Sequence, residues 1–425
     1  MKNKRLQSID VLRGIAIVVL VVIHRIHYTW DGMRTHETVK EYMSGPLLPV
    51  LIFFIVLLSM AGVFYFMTGI VNTYTIYNRI TSGKSKWHQS VFSGIAFGFW
   101  LIIMNYMQRL FFMNGFVAGE DGGIPKYPVG YLTGFIRDPG QVKFYWTQVT
   151  EPGTLSLIGL LVIVISILMS LLLKFHNRMS INRMHGILLL LAVVAMVASI
   201  FIKLNLTPQY DAFLAEGKYL KAALCGHLCK DFSLFPYLGY AIVGAAMGLS
   251  LASNEPGKIL IRKSVYTAIG LIITGLSIFL LFDRDKFGGR GTLGAFASLV
   301  ELAIFIFFIL FLLKIFDQPS EELKQKRRIN SLWIRRFGML SLTVFIFEPV
   351  IAEILRKVID FFAGPGWSSH FLLVFLFSGF CLLIWHLLLR VWQKAGFMGS
   401  LEWLTGWVLL KLARKKTGKV NFGEL

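Results

Sequence analysis

Stretches of about twenty residues free of Asp, Glu, Lys and Arg recur along this chain, and that length is enough for an α-helix to cross the hydrocarbon core of a bilayer. Ten such spans are expected, near 10–29, 47–73, 88–112, 153–174, 184–203, 232–252, 264–282, 291–315, 337–357 and 369–391. The fold class this predicts is all-α: a polytopic transmembrane helix bundle of about 10 spans, with eleven as the upper count. Composition agrees, because 56% of the 425 residues are hydrophobic and only 16% are charged, against roughly 25% in a soluble domain. The opening MKNKRLQS and its apolar run carry no small-residue cleavage site and continue into His24, Arg25 and His27, so they read as a retained first helix rather than a signal peptide.

Charge sets the expected orientation. With the N-terminus inside, the cytoplasmic segments hold 26 Lys and Arg against 7 acids, whereas the outer segments hold 14 against 14. Cytoplasmic loops carry the cationic excess, so both termini are expected in the cytoplasm of a plasma-membrane, multi-pass protein. The net charge of +20 is then mainly a topology signal with some attraction to anionic lipid, and nucleic acid is not expected as a partner. Residues 1–395 read as a single transmembrane domain and 396–425 as a basic amphipathic cytoplasmic tail.

Several segments have a plain structural reading. The outer segment 113–152 is dense in Gly and Pro and reads as a connecting loop, an ordered cover or a lid. In 204–231 the apolar spacing suits a short helix on the membrane surface. Segment 317–336 reads as a solvated linker or an amphipathic helix. Gly244 and Gly248, four apart, allow close approach of a second helix. Cys225 and Cys229 flank His227; a disulfide or metal there is weaker than plain packing, since structural zinc takes four ligands, and no metal is assigned. Cys381 reads as a packed thiol. Walker, dinucleotide, HExxH, GxSxG and paired CxxC patterns are absent from the sequence.

Ionisable groups inside the spans are the candidates for chemistry, because each costs at least ~2.5 kcal/mol in lipid unless it meets a partner, water or a ligand. Arg13 and His24 stand eleven residues apart, which returns a helix to within about 20° of the same face and separates them by roughly 16 Å along the axis. Asp10, three residues before Arg13, either caps the helix while Arg13 snorkels, or holds Arg13 so that its guanidinium binds phosphate. His24, in the outer half, is either a hydrogen-bonded boundary histidine or a general base, and His27 is its understudy. Glu348 sits mid-span before Pro349, where it orients His24, donates as a protonated acid or bonds structurally. Arg109 and Glu301 are expected to pair with each other or with Glu348.

Together these patterns resemble the transmembrane acyltransferase superfamily, which includes acyltransferase-3 proteins. RLQSIDVLRGIAIVVLVVIH is similar to its first-helix signature of an Arg followed eleven positions later by a His. FPYLGYAIVGAAMG, GMLSLTVFIFEP and GSLEWL are similar to the YeiB-like branch, related to heparan-alpha-glucosaminide N-acetyltransferases. Val344, Phe345, Ser400 and Glu348 depart from that branch, which has Asn, Tyr, Pro and Gln or His there. The resemblance implies transfer of an acyl group, acetyl foremost, from cytoplasmic acyl-CoA as co-substrate to a glycan or lipid-linked acceptor outside. Arg13 and Asp10 would hold the donor phosphates, and His24 with Glu348 would be catalytic. The competing expectation is a transporter or exporter of an anionic or lipid-linked solute using Arg13, Glu301 and Glu348.

Overall fold

The computed structural model describes residues 6–30, 61–116, 128–175, 178–253, 255, 257–281, 289–318 and 320–412. In chain order the helices are α1 (Gln7–Thr29), α2 (Ala61–Thr81), α3 (Trp87–Met107, prolonged by a π turn Gln108–Phe112), α4 (Tyr131–Arg137), α5 (Thr147–Thr150), α6 (Thr154–Lys174), α7 (Ile181–Ala215) and α8 (Tyr219–Cys229). There follow α9 (Leu234–Ala252), α10 (Gly257–Leu281), α11 (Gly289–Phe316), α12 (Glu321–Asn330), α13 (Leu332–Met339), α14 (Ser341–Ala363), α15 (Phe371–Lys394) and α16 (Leu401–Leu412). The described residues contain no strand, so the all-α expectation holds there.

Seven helices are long and apolar enough to cross a membrane among the described residues, and eight if α13 and α14, bent by 87° at their junction, count as one span. These eight coincide with eight of the ten expected spans. The remaining two overlap α1, of 23 residues, and α2, of 21, which are not among those eight; residues 47–60 of the second expected span lie outside the described residues. Several long apolar helices of this kind make a multi-pass membrane protein.

The chain divides into two compact units. The first comprises Met1–Ile9, Gly62–Asn105 and Thr150–Pro319. Its tightest crossing is α2 on α9, where glycine removes the side chain that would hold the backbones apart. A Cβ on Gly69 would stand 1.9 Å from the Ala241 carbonyl oxygen, one on Gly244 2.1 Å from that of Phe66, and one on Gly248 2.5 Å from that of Ile70. Close approach at Gly244 and Gly248 is therefore as expected. Helix α7 runs on through Pro208 to Ala215, past the expected boundary near 203, so 204–215 prolong a helix of 35 residues. The short helix expected in 204–231 is α8, which packs Ala222, Cys225 and Cys229 on Tyr210. At the start of the unit, Asp317 accepts from the amides of Gln7 and Ser8 at 3.0 and 3.1 Å, so the first helix begins at Gln7 and Asp10 is not its cap.

The second unit comprises Asp10–Ala61, Tyr106–Val149 and Ser320–Leu425. Here α1 crosses α13 at two glycines: a Cβ on Gly14 would stand 2.1 Å from the Ile334 carbonyl oxygen, and one on Gly338 2.1 Å from that of Asp10. Leu340 breaks the helix between α13 and α14. The new N-terminus is capped from afar, since Glu402 accepts from the amides of Leu342 and Thr343 at 2.7 and 3.2 Å. Thr343 returns the bond by accepting from the Leu401 amide at 2.9 Å. Residues 396–412, expected to open the tail, thus pack into this unit, with Phe397 and Ser400 buried; 413–425 lie outside the described residues. Helix α12, expected as a linker or amphipathic helix, buries no residue.

The glycine crossing supplies a direct test by thermal unfolding in detergent. Gly69→Ala is expected to destabilise by about 1–3 kcal/mol, because two backbones must separate. Gly270→Ala, where a Cβ meets nothing within 4 Å, is expected to be neutral or stabilising by up to ~1 kcal/mol.

Candidate functional site

Four side chains from three segments of the second unit meet around one carboxylate. Glu348 of α14 has no exposed surface, and Arg25 of α1 is 1% exposed. Arg25 Nε stands 2.7 Å from Glu348 Oε1 as an ion pair off the hydrogen-bond axis, and its Nη2 donates to Oε2 at 3.3 Å. Asn114 closes the group: its Oδ1 accepts a short bond from Arg25 Nη2, and its Nδ2 donates to Glu348 Oε2 at 3.1 Å. His24 Nδ1 lies 3.3 Å from Asn114 Nδ2 and 3.7 Å from Glu348 Oε2. The His24 side chain keeps 28% of its surface exposed, so its inner nitrogen faces the fixed polar group while the ring retains an open edge.

Each element has a local reason to deliver its residue. Successive residues of a helix point about 100° apart, which lets Arg25 go fully inward while His24 lies at the edge. Asn114 arrives because α3 ends in the π turn and Met113 turns extended, with φ −65° and ψ 136°. That turn is anchored by Arg109, whose Nε and Nη2 donate to the carbonyls of Gln148 and Thr147 at 2.8 Å each. The next residue, Gly115, offers its carbonyl to Arg137 Nη1 at 2.6 Å, while the same guanidinium holds Glu353 of α14 in a buried ion pair. The described part of 113–149 is therefore tied to the second unit; residues 117–127 lie outside the described residues. Around the His24 edge stand Tyr28, with ring centroids 5.7 Å away, and His27, which packs on Tyr28 at 4.6 Å and Phe116 at 6.0 Å.

Of the expected site residues, His24 and Glu348 are brought together. The sequence does not single out Arg25 and Asn114 as members of the group: Arg25 directly follows His24 in the chain, and Asn114 is an uncharged residue just past another span. Arg109, expected to pair with Glu301 or with Glu348, binds the carbonyls of Gln148 and Thr147, and Arg25 is the cation beside Glu348. Glu301, in the other unit, accepts from Tyr240 Oη at 2.8 Å. Asp10 and Arg13 stand one turn apart near the opposite end of α1, with Arg13 half-buried. Asp10 Oδ2 there lies 3.8 Å from Arg335 Nη2 of α13, a neighbour the sequence does not announce. The sharp bend sits at Leu340, while α14 continues helically through Pro349, a residue type that often kinks a helix.

Cys225 and Cys229 are free, buried thiols. Burial, then the neighbouring Cys225, pushes the Cys229 thiol up to about 11. At pH 8 such a group is thiolate about one part in a thousand, so Cys229 is expected to resist alkylation in the native protein and to react once unfolded, as read by mass spectrometry.

The buried pair generates a second prediction. Arg25→Ala leaves Glu348 without its cation and is expected to cost about 3–5 kcal/mol of stability, while Arg25→Met combined with Glu348→Leu is expected to recover most of that loss. Comparison with protein-family models, with curated proteins and with solved structures finds no match for this chain.

Proposed function

We propose that this protein is a membrane-embedded acyltransferase that moves an acyl group, acetyl foremost, from acyl-CoA to a hydroxyl or amine of a cell-surface or lipid-linked glycan. The observation that carries the reading is the placement of His24 Nδ1 3.7 Å from Glu348 Oε2, behind a ring edge that stays open. A carboxylate behind an imidazole orients the ring and stabilises the charge it gains on taking a proton, which is the arrangement general-base catalysis needs. The acceptor hydroxyl or amine attacks the thioester carbonyl as its proton passes to His24; the new C–O or C–N bond forms, the C–S bond breaks, and the proton leaves with the thiolate as free thiol.

Arg13 lies on the same continuous helix, eleven residues before His24, so the two are separated by roughly 16 Å along its axis. That separation is comparable with an extended pantetheine arm, so nucleotide phosphates held near Arg13 and Asp10 would present the thioester near His24. Arg13 would face the cytoplasm and His24 the outer leaflet of the plasma membrane.

Purified protein is expected to be thermally stabilised by acetyl-CoA. Arg13→Ala is expected to lose that stabilisation; His24→Ala is expected to keep it while thiol release falls by about 10²–10⁴-fold. No stabilisation of the wild type would speak for the transport reading instead, and wild-type turnover in His24→Ala would remove the mechanism while leaving the reaction.

A further inference from the structure

Away from the His24 group, the second unit carries an open apolar groove of about 320 Å³ between α1, α13 and α15. Val18, Phe337 and Leu382 line it together with Trp333, Leu383 and His386, and Trp333 and Leu383 remain about half exposed. Apolar surface of this kind is unremarkable in lipid and names no occupant. The charges beside it do.

Arg336 follows Trp333 on α13 and immediately precedes Phe337, and Arg390 stands one turn beyond His386 on α15. Arg336 Nε donates to Gln393 Oε1 at 2.6 Å, which brings its guanidinium to the turn of α15 that bears Arg390. The two positive charges are close enough to act on one another, and neither has a carboxylate partner among the described residues. Three other arginines of the unit do have one: Arg25 has Glu348, Arg137 has Glu353, and Arg335 has Asp10 within 3.8 Å. Two like charges on the helices that line an apolar groove, each within about a turn of a lining residue, call for an anion that brings an apolar body with it. A soluble anion would answer the arginines and leave the groove empty; a neutral lipid would fill the groove and leave the arginines opposed.

We propose that the groove is a binding site for an anionic phospholipid, with one acyl chain lying along Val18, Phe337 and Leu382 and the headgroup phosphate bridging Arg336 and Arg390. The 87° bend at Leu340 turns α13 across the direction of α14, and basic residues cluster along α12 and α13, which an anionic leaflet would attract. A guanidinium pair takes a phosphate by bidentate, charge-assisted hydrogen bonds. The proposal does not depend on acyl transfer.

Full-length protein in mild detergent, delipidated and then offered phosphatidylglycerol or phosphatidylcholine of identical chains, tests this by native mass spectrometry and thermal shift. Phosphatidylglycerol is expected to bind about 30-fold more tightly, from about two cations near a headgroup. Arg336→Gln with Arg390→Gln is expected to bring the two lipids to parity. Leu383→Trp, a change at a half-exposed position that fills the groove, is expected to weaken both lipids while the protein stays folded. Equal binding of the two lipids by the wild type, or an undiminished preference in the double variant, overturns the proposal. So does protection by inorganic phosphate or acetyl-CoA that matches phosphatidylglycerol and vanishes in the same double variant, since that assigns the arginines to a soluble anion.

Discussion

A carboxylate with no exposed surface in an apolar helix is expensive unless its charge is answered, and Glu348 is answered three times. Arg25 supplies the cation, Asn114 supplies an amide hydrogen, and His24 stands close enough to share the field. The geometry of its unit follows from keeping those partners in place. Helix α1 must present Arg25 inward, the π turn after α3 must release the chain at Asn114, and α14 must hold Glu348 at the depth where both arrive. Arg137 then extends the same logic along α14, because it ties the Asn114 turn to Glu353, five residues beyond Glu348.

The first unit solves a different problem. Apolar helices gain nothing by leaving lipid for one another except contact, so close approach has to come from small residues. Gly69, Gly244 and Gly248 bring α2 and α9 to backbone contact, and Gly98 and Gly159 do the same for α3 and α6, each carbonyl standing 2.5 Å from the Cβ the other lacks. In the second unit Gly14 and Gly338 bring α1 and α13 together in this way beside the Asp10–Arg335 contact. A direct carbonyl contact leaves little freedom to slide, which keeps the ionisable residues of α1 in fixed register.

His24 and Glu348 were legible because a titratable residue within an apolar run has few bland explanations. Arg25 was less legible: one residue from His24 in sequence, it points about 100° away around the helix, off the face that His24 shares with Arg13. Asn114 carried almost no signal, since an uncharged polar residue after a span belongs to any loop. Pairings across the chain were invisible for the same reason. Asp10 with Arg335 and Glu402 with the start of α14 join positions some 325 and 60 residues apart, and no local periodicity records such distances.

The sequence by itself determined the helical class, the positions of the apolar helices, the glycine crossings at Gly244 and Gly248, and the two titratable residues that meet within one unit. Apolar length and small-residue spacing are local properties, and lipid leaves them little choice of structure. Only the tertiary structure decided that Arg25 neutralises Glu348, that Asn114 bridges the pair to His24, that the sharp bend falls at Leu340, and that Arg336 is held to Gln393 near Arg390 with no carboxylate partner for either among the described residues. Each of those depends on which side of a helix turns inward against which neighbour, a matter settled by packing and charge pairing across the whole unit.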